Sequence, residues 1–502
     1  MVGRRTDGAV VKSKATVVVI GAGPCGLTAA VELLRLGVQV RLLEASTERM
    51  TGTRALQLWP PALEIYRGVG IRAEAERLGV TVRTNVYNMA GGKVLRVALG
   101  AENEPLLLPQ EHTVRLLEEA LEAAGGKVER GVRFEDLAAG EDSVTVQVTG
   151  ASGTELIEAD WVIGADGVRS DVRERLGIDF PGRRVPTNLI LAEGRVDGDF
   201  EEGAVHYFLG RGGSLVFAPM SGGRVRVSAP VPPDLPIDRT GVQRLLDERG
   251  PGDLRIVSLD HIGTFSSSER IASSLRRGRV FLVGDAAHTH SPLGGQGLNL
   301  GLQDVHNLTW KLAGVVHGRL GAQVLAGYEV ERRQAAEQIV GMTGRMMRMF
   351  MLGPAAAKVR NAVWGGLERT GALRRWFVPL LAGWGVRYTD ELLRVGAKRG
   401  RAKPGTRTPH WVPARDTVGR LRLLTTGDAS ALLVAEARAL AERNRALVTH
   451  DHFAGRAEGF LVLRPDGYVA ASGASAADLA EVEVRIRALA AVEEKERSAD
   501  GR

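Results

Sequence analysis

The sequence predicts an α/β protein of several domains, and three segments carry that prediction. The first runs from a β-branched strand, Ala15-Thr-Val-Val-Val-Ile20, through the glycine turn Gly21-Ala-Gly23-Pro24-Cys25-Gly26 into helical apolar spacing from Leu27 to Leu36. The second, Ala159 to Arg173, again reads as strand, Asp166-Gly167 turn and helix start. The third spans Arg279 to Asn299: a buried strand, Asp285 at its end, the loop Gly294-Gly-Gln-Gly297, then a helix. The chain's 502 residues suffice for two to four domains.

The N-terminal segment is a complete strand–helix–strand start. Gly37 ends the helix, Val38 to Leu43 forms the second strand, and Glu44 closes it 23 residues after Gly21. Gly21 permits a tight turn, Gly23 lets backbone approach a pyrophosphate, and Gly26 lets helix and strand pack closely. The helix N-terminus then faces the phosphates. A carboxylate at Glu44 accepts hydrogen bonds from an unphosphorylated ribose, so FAD and NAD both fit and NADP fits poorly. Gly68-Val-Gly70 imitates the motif but follows an amphipathic helical stretch, so it reads as a helix stop. Two backbone-binding segments some 260 residues apart point to a flavin enzyme rather than a simple dehydrogenase.

Together the three segments resemble the class A flavoprotein aromatic hydroxylases, the para-hydroxybenzoate hydroxylase-like group, from about Thr16 to Ile339. The motifs Arg54-Ala-Leu-Gln-Leu, Gly294-Gly-Gln-Gly-Leu-Asn-Leu-Gly-Leu-Gln-Asp304 and Leu325-Ala-Gly-Tyr-Glu-Val-Glu-Arg-Arg333 are similar to those of the actinomycete polyketide hydroxylase and rifampicin monooxygenase-like subgroup. The resemblance implies a Rossmann-like FAD-binding domain, a β-sheet substrate domain and a C-terminal thioredoxin-like domain. It implies that Glu44, with Ala45, binds the adenosine ribose, that Arg54 and Gln110 lie near the ribityl and pyrophosphate part, and that Asp285 anchors the ribityl side. Asp166, Gly167 and Arg169 help close the pyrophosphate region. Pro292, Gly294, Gly295, Gly297, Leu298 and Asn299 border the isoalloxazine ring, and a helix beginning near Leu298 aims its positive end at the flavin. Three positions depart from the group: Trp59-Pro-Pro61 where an arginine is common, Val114 where an acid is common, and Gln334 where a proline is common.

The implied reaction uses NADPH, or NADH, and O₂ to hydroxylate an aromatic polyketide-type phenol or quinone through a C4a-hydroperoxyflavin. The cofactor carries the hard chemistry, and the protein positions it and excludes water. No general base and no metal site is assigned, and His288 and His290 read as packing for the loop after Asp285. Baeyer–Villiger or ring-opening oxygenation is the alternative outcome, and a non-catalytic flavin-fold protein is the alternative class. A halogenase is disfavoured because its Trp-x-Trp-x-Ile-Pro pattern is absent.

The expected domains are residues 14–183 and 276–393 for FAD, the latter with a helical segment, 184–275 for a β-rich substrate domain, 394–409 as linker and 410–502 for the C-terminal domain. In the β-rich part Phe208 and Phe217 are read as pocket lining or core. Met342, Met346, Met347, Met349 and Met351 suggest soft packing, with a substrate-entry or homodimer surface as the alternative. Cys25 is the sole cysteine, which excludes dithiol chemistry and suits a cytoplasmic protein. A net charge of +7 without an aromatic-interleaved basic patch gives no nucleic-acid partner. Charges and glycines break each apolar run before it spans a bilayer, and the run from Ala15 reads as a strand rather than a signal segment.

Overall fold

The β-branched run near the N-terminus becomes the centre of the first sheet of the computed structural model. The structure describes residues 11–50, 55–89, 92–210, 213–232, 234–350, 352–389, 402–410, 412, 417–427, 429–453 and 459–490. Strand β1 (Val11–Ile20) lies between two parallel neighbours, β2 (Val40–Glu44) and the strand Gly153–Gly164. Val17, Val18 and Val19 are fully buried, so side chains on both faces of β1 are out of water. Each such side chain contributes roughly 1.5–3 kcal/mol of transfer free energy. Val128–Arg130 and Val280–Leu282 extend the sheet in parallel on either side. Helix α1 (Pro24–Arg35) begins at the proline, whose missing N–H costs nothing in a first turn. It closes at Gly37, whose φ of 81° is the left-handed cap that glycine permits.

The chain divides into two units, residues 1–31, 40–303 and 336–385 in one, and 32–39, 304–335 and 386–502 in the other. The first unit carries a second eight-stranded, largely antiparallel sheet. Its long strands Gly182–Asp197 and Arg255–Ile271 pair with each other, and Ala204–Gly210, Gly213–Met220 and Arg224–Val231 continue it. The hairpin Thr84–Met89 and Lys93–Ala98 adds to its edge, a contribution that local patterning did not reveal. One face packs against the helix Arg239–Arg249 through Phe208, Phe217, Leu245 and Leu246. The other carries Tyr87 and Tyr207, stacked 5.0 Å apart, with Trp364 edge-on to Tyr87. Met342 and Met346 are buried and Met349 packs on this aromatic face, while Met351 lies outside the described residues.

The second unit has a four-stranded sheet. Leu421–Thr426 runs parallel to Val448–Phe453 and antiparallel to Gly459–Leu463, which pairs with Val469–Gly473. Helices Ala431–Arg443 and Ala476–Leu489 accompany it, the latter opened by a Ser475–Asp478 capping box. Residues 394–401 of the expected linker and 491–502 of the expected C-terminal domain lie outside the described residues. The Pro465-Asp-Gly467 turn joins two strands, and Asp466 enters a buried ionic cluster. There Lys311, Arg332 and Arg464 meet Glu331, Asp304 and Asp466, all 3% exposed or less. Asn307 and the Tyr388 hydroxyl supply further hydrogen bonds. Three cations against three anions leave no uncompensated charge, and removing one partner of such a pair typically costs about 3–5 kcal/mol.

In the same unit His306 Nδ1 lies 2.7 Å from Glu32, which also accepts from Thr309. Burial opposes protonation of His306, but the Glu32 carboxylate outweighs it and raises the imidazole above its ordinary value. The pair's stabilisation is therefore complete below about pH 6.5 and is lost as pH rises through the higher folded value. Thermal melting as a function of pH checks this: His306→Gln is expected to destabilise the protein most on the acid side and to flatten the decline above neutrality.

Candidate functional site

Three backbone turns meet at the carboxyl ends of the parallel strands. Gly21, at φ 99°, donates its N–H to Leu43 O at 2.8 Å, and a Cβ on it would fall 2.5 Å from Ala165 O. A Cβ on Gly26 would fall 1.8 Å from Gly21 O. A Cβ on Gly23 would meet nothing within 4 Å. The outer glycines thus hold protein against protein, and the middle one leaves open backbone at the helix N-terminus. Glu44 is fastened to this turn: its Oε2 accepts from Ala22 N at 2.8 Å and its Oε1 from Ser46 N at 2.9 Å. A carboxylate has about four acceptor positions, so the oxygens keep capacity for hydroxyl donors. Ala45 follows, exposed, at the strand end.

The second turn lies directly beside the first. Asp166 Oδ2 accepts from Val172 N at 3.0 Å, while its Oδ1 is buried without a partner. Burial pushes the Asp166 carboxyl above the usual range. Gly167, at φ 81°, turns the chain, and Ser170 caps the helix Asp171–Arg175 by accepting from Arg173 N. The Arg173 guanidinium donates to Ala286 O at 3.1 Å and so binds this turn to the third one.

Asp285 is exposed on a single turn of 3₁₀-helix, Gly284–Ala286. Beneath it Cys25, Gly284 and Gly301 are packed together: a Cβ on Gly284 would lie 2.7 Å from Cys25 Sγ, and one on Gly301 would lie 2.6 Å from it. Sequence reasoning did not single out Gly301. Its signal was a glycine one helical turn beyond Gly297, on the side that faces the first helix.

The loop after Asp285 is braced from the other end of the chain. Asn299 is buried; its Oδ1 accepts from Trp59 N at 2.7 Å, and its Nδ2 donates to Gln57 O and Gly295 O. Trp59, fully buried, donates Nε1–H to Gly294 O at 2.8 Å. Trp59 had been noticed only as a departure from the group pattern. Gly294 and Gly295 have φ of 80° and 62°, and Pro292 is exposed. The helix starts at Gln296 rather than near Leu298, because Gln296 anchors its first turn by donating to Leu381 O. Gly297, Leu298 and Asn299 therefore belong to that first turn. His288 is buried in a short strand pairing with Ile271. His290 Nδ1 meets Ser291 O at 2.7 Å, and burial pushes this imidazole down to about 4, so it stays neutral at physiological pH.

Gln110 opens the helix Gln110–Ala123 and accepts from Ala55 N, next to Arg54, which lies outside the described residues. Phe208 and Phe217 are core residues, closed off by the helix Arg239–Arg249. The site suits a dinucleotide with a flavin: open backbone at Gly23 admits a pyrophosphate, and the partnerless buried atoms Asp166 Oδ1 and Gln57 Nε2 border the converging turns. Among the described residues no cluster of three metal-ligating side chains occurs, and no helix is long and apolar enough to cross a membrane.

The family described as an FAD binding domain matches residues 14–343. The 6-methylpretetramide 4-monooxygenase of Streptomyces rimosus is 30% identical over 508 residues, 91% of this chain and 90% of its own. The rifampicin monooxygenase of Streptomyces venezuelae is 33% identical across 74% of this chain and 79% of its own. Among solved structures, the OxyS anhydrotetracycline hydroxylase from Streptomyces rimosus covers 94% of this chain and 99% of its own at 27% identity and TM-score 0.76. CabE, an aromatic hydroxylase from angucycline biosynthesis, covers 95% and 100% at 29% identity and TM-score 0.76.

The glycine geometry separates folding from cofactor binding. Gly23→Ala is expected to leave apoprotein melting unchanged while weakening FAD binding at least about tenfold, or ~1.4 kcal/mol. Gly26→Ala is expected to lose both, as read by melting and by flavin fluorescence titration.

Proposed function

Because this chain belongs to the FAD binding domain family of flavoprotein monooxygenases, we propose that it uses NAD(P)H and O₂ to hydroxylate an aromatic, polyketide-type phenol or quinone in secondary metabolism. The observation that carries this reading is the convergence of three remote turns around open backbone at Gly23. In it, Gly21, Gly23, Pro24, Cys25 and Gly26 hold the pyrophosphate, and Glu44 with Ala45 holds the adenosine ribose. Arg54, Gln110, Asp166 and Gly167 serve the pyrophosphate and ribityl region, and Asp285 anchors the ribityl chain. Pro292, Gly294, Gly295, Gly297, Leu298 and Asn299 border the ring.

Bound FAD would supply the redox chemistry linking NAD(P)H and O₂. This chain's residues place it and keep water away. The first-turn N–H groups of Gly297 and Leu298 form the positive end of a helix that would favour negative charge on a bound flavin. Trp59 and Asn299 hold the loop in place, so that bound FAD would meet fixed dipoles rather than water. His290, held neutral by burial and bonded to Ser291 O, packs the loop. The substrate lies on the side of Leu381, whose methyl group would be 3.2 Å from a Cβ on Gly294. Val378, Tyr87, Tyr207 and Met220 form a packed core cluster on one face of the second sheet. Phe208 and Phe217, on the opposite face of the sheet, support it from behind.

With no second strand–glycine–helix unit in the sequence, NAD(P)H binds transiently at the surface of the flavin domain. The second unit, a parallel strand pair continued by two antiparallel strands with two helices, is read as thioredoxin-like in fold. Lacking a second cysteine, it has a structural role.

Purified protein is expected to be yellow and to consume NADPH or NADH faster with polycyclic phenols, yielding a product 16 mass units heavier, one oxygen atom, with the carbon skeleton intact by NMR. A colourless protein that takes up no FAD, or a ring-expanded lactone, would overturn this reading. Asp285→Ala is expected to lower flavin occupancy; unchanged occupancy would remove Asp285 from the site.

A further inference from the structure

Polar atoms that folding takes out of water normally end in hydrogen bonds. Trp310 Nε1 and Arg319 Nε, two donors of the second unit, are buried without a hydrogen-bond partner. Both residues line one cleft, whose other walls include Leu320, Leu421, Leu447 and Leu489. The chain folds tightly to make it. Arg319 N and Leu320 N both donate to Gly314 O, at 2.8 and 2.9 Å, which pins Arg319 just beyond the helix Gln296–Val316. A Cβ on Gly419 would lie 3.7 Å from Arg319 Nη2, so the turn before Leu421 passes close to the guanidinium. The cleft has room for a single water-sized species.

Among the described residues its charge is uncompensated. Arg420 donates to the carbonyls of Thr417 and Arg445, each at 3.3 Å, and to no carboxylate among the described residues. Arg319 feels burial first and then the like charge of Arg420, both of which disfavour its protonated form, and no acid contributes in the other direction. A water molecule would satisfy the two N–H groups but leave the repulsion between the guanidiniums. An anion does both. The small enclosed space favours a monatomic anion over phosphate, sulfate and organic carboxylates.

We propose that this cleft is a halide site, in which a chloride-sized anion accepts from Trp310 Nε1–H and Arg319 Nε–H and neutralises the Arg319–Arg420 pair. The ion joins the end of the long helix to the first strand of the C-terminal sheet. Because it binds only the folded state, chloride stabilises the protein by mass action. Nothing in this proposal depends on the reaction catalysed.

The test uses the full chain loaded with FAD. Crystals soaked in sodium bromide are expected to show an anomalous peak in the cleft. In solution, chloride or bromide is expected to raise the melting temperature saturably relative to acetate, which is too large to enter, at equal ionic strength. Arg319→Gln is expected to abolish that halide increment while melting in acetate at or above the wild-type temperature, because it also removes the like-charge contact. Trp310→Phe is expected to reduce the increment, with the flavin spectrum reporting that each variant has folded. Water alone in the cleft after the bromide soak, or an increment undiminished in both variants, would overturn the proposal.

Discussion

Backbone that comes closer than a β-carbon allows is the constraint on which this structure depends. Gly26 against Gly21, Gly21 against Ala165, and Gly284 and Gly301 against Cys25 bring three turns together that are far apart in sequence. Each contact involves a glycine for a steric reason, and each lies at the carboxyl end of a parallel strand or on the helix that follows. The sheet can be aligned only when these approaches are made, and their alignment places Glu44, Asp166 and Asp285 around one region. Open backbone at Gly23 has meaning because its neighbours are closed.

The loop after Asp285 is held by a different device. One buried carboxamide, Asn299, joins the strand Gln57–Leu58 to the Gly294–Gly295 turn, and the Trp59 indole repeats the connection. Neutral hydrogen bonds of this kind contribute about 1 kcal/mol each to stability, but their main effect is to fix position. A site whose chemistry belongs to its cofactor needs fixed dipoles and dryness more than reactive side chains. The two histidines beside it fit that division, since one is buried in a strand pair and the other is held neutral. The second unit uses charge instead, with six ionised groups in a dry cluster that stays balanced.

Much of the nucleotide-binding half was legible because its rules are local. Strand, glycine turn, helix and terminal acid are separated by fixed short spacings, so Gly21 to Glu44 could be read without knowing what packs on them. The acid–glycine turn at Asp166 and the loop at Gly294 were legible for the same reason. Trp59 was visible only as an oddity, because its partner is 235 residues away. The hairpin Thr84–Ala98 was missed as an edge of the second sheet, since strand pairing across more than a hundred residues leaves no periodic trace. Asp304, Glu331 and Arg332 stood inside recognisable motifs, yet nothing local said that they would meet Arg464 and Asp466 in a buried cluster.

The sequence by itself determined the elements, the glycine positions that backbone approach demands, and the family of cofactor chemistry, because steric and periodic constraints act between near neighbours. Tertiary structure alone decided which sheet face Phe208 and Phe217 occupy, that Asn299 and Trp59 brace the loop, that Cys25 lies under Gly284 and Gly301, and that burial and the like charge of Arg420 act together on Arg319. Those outcomes depend on contacts between residues far apart in the chain, and contact energies of that kind are realised only when the whole chain has closed.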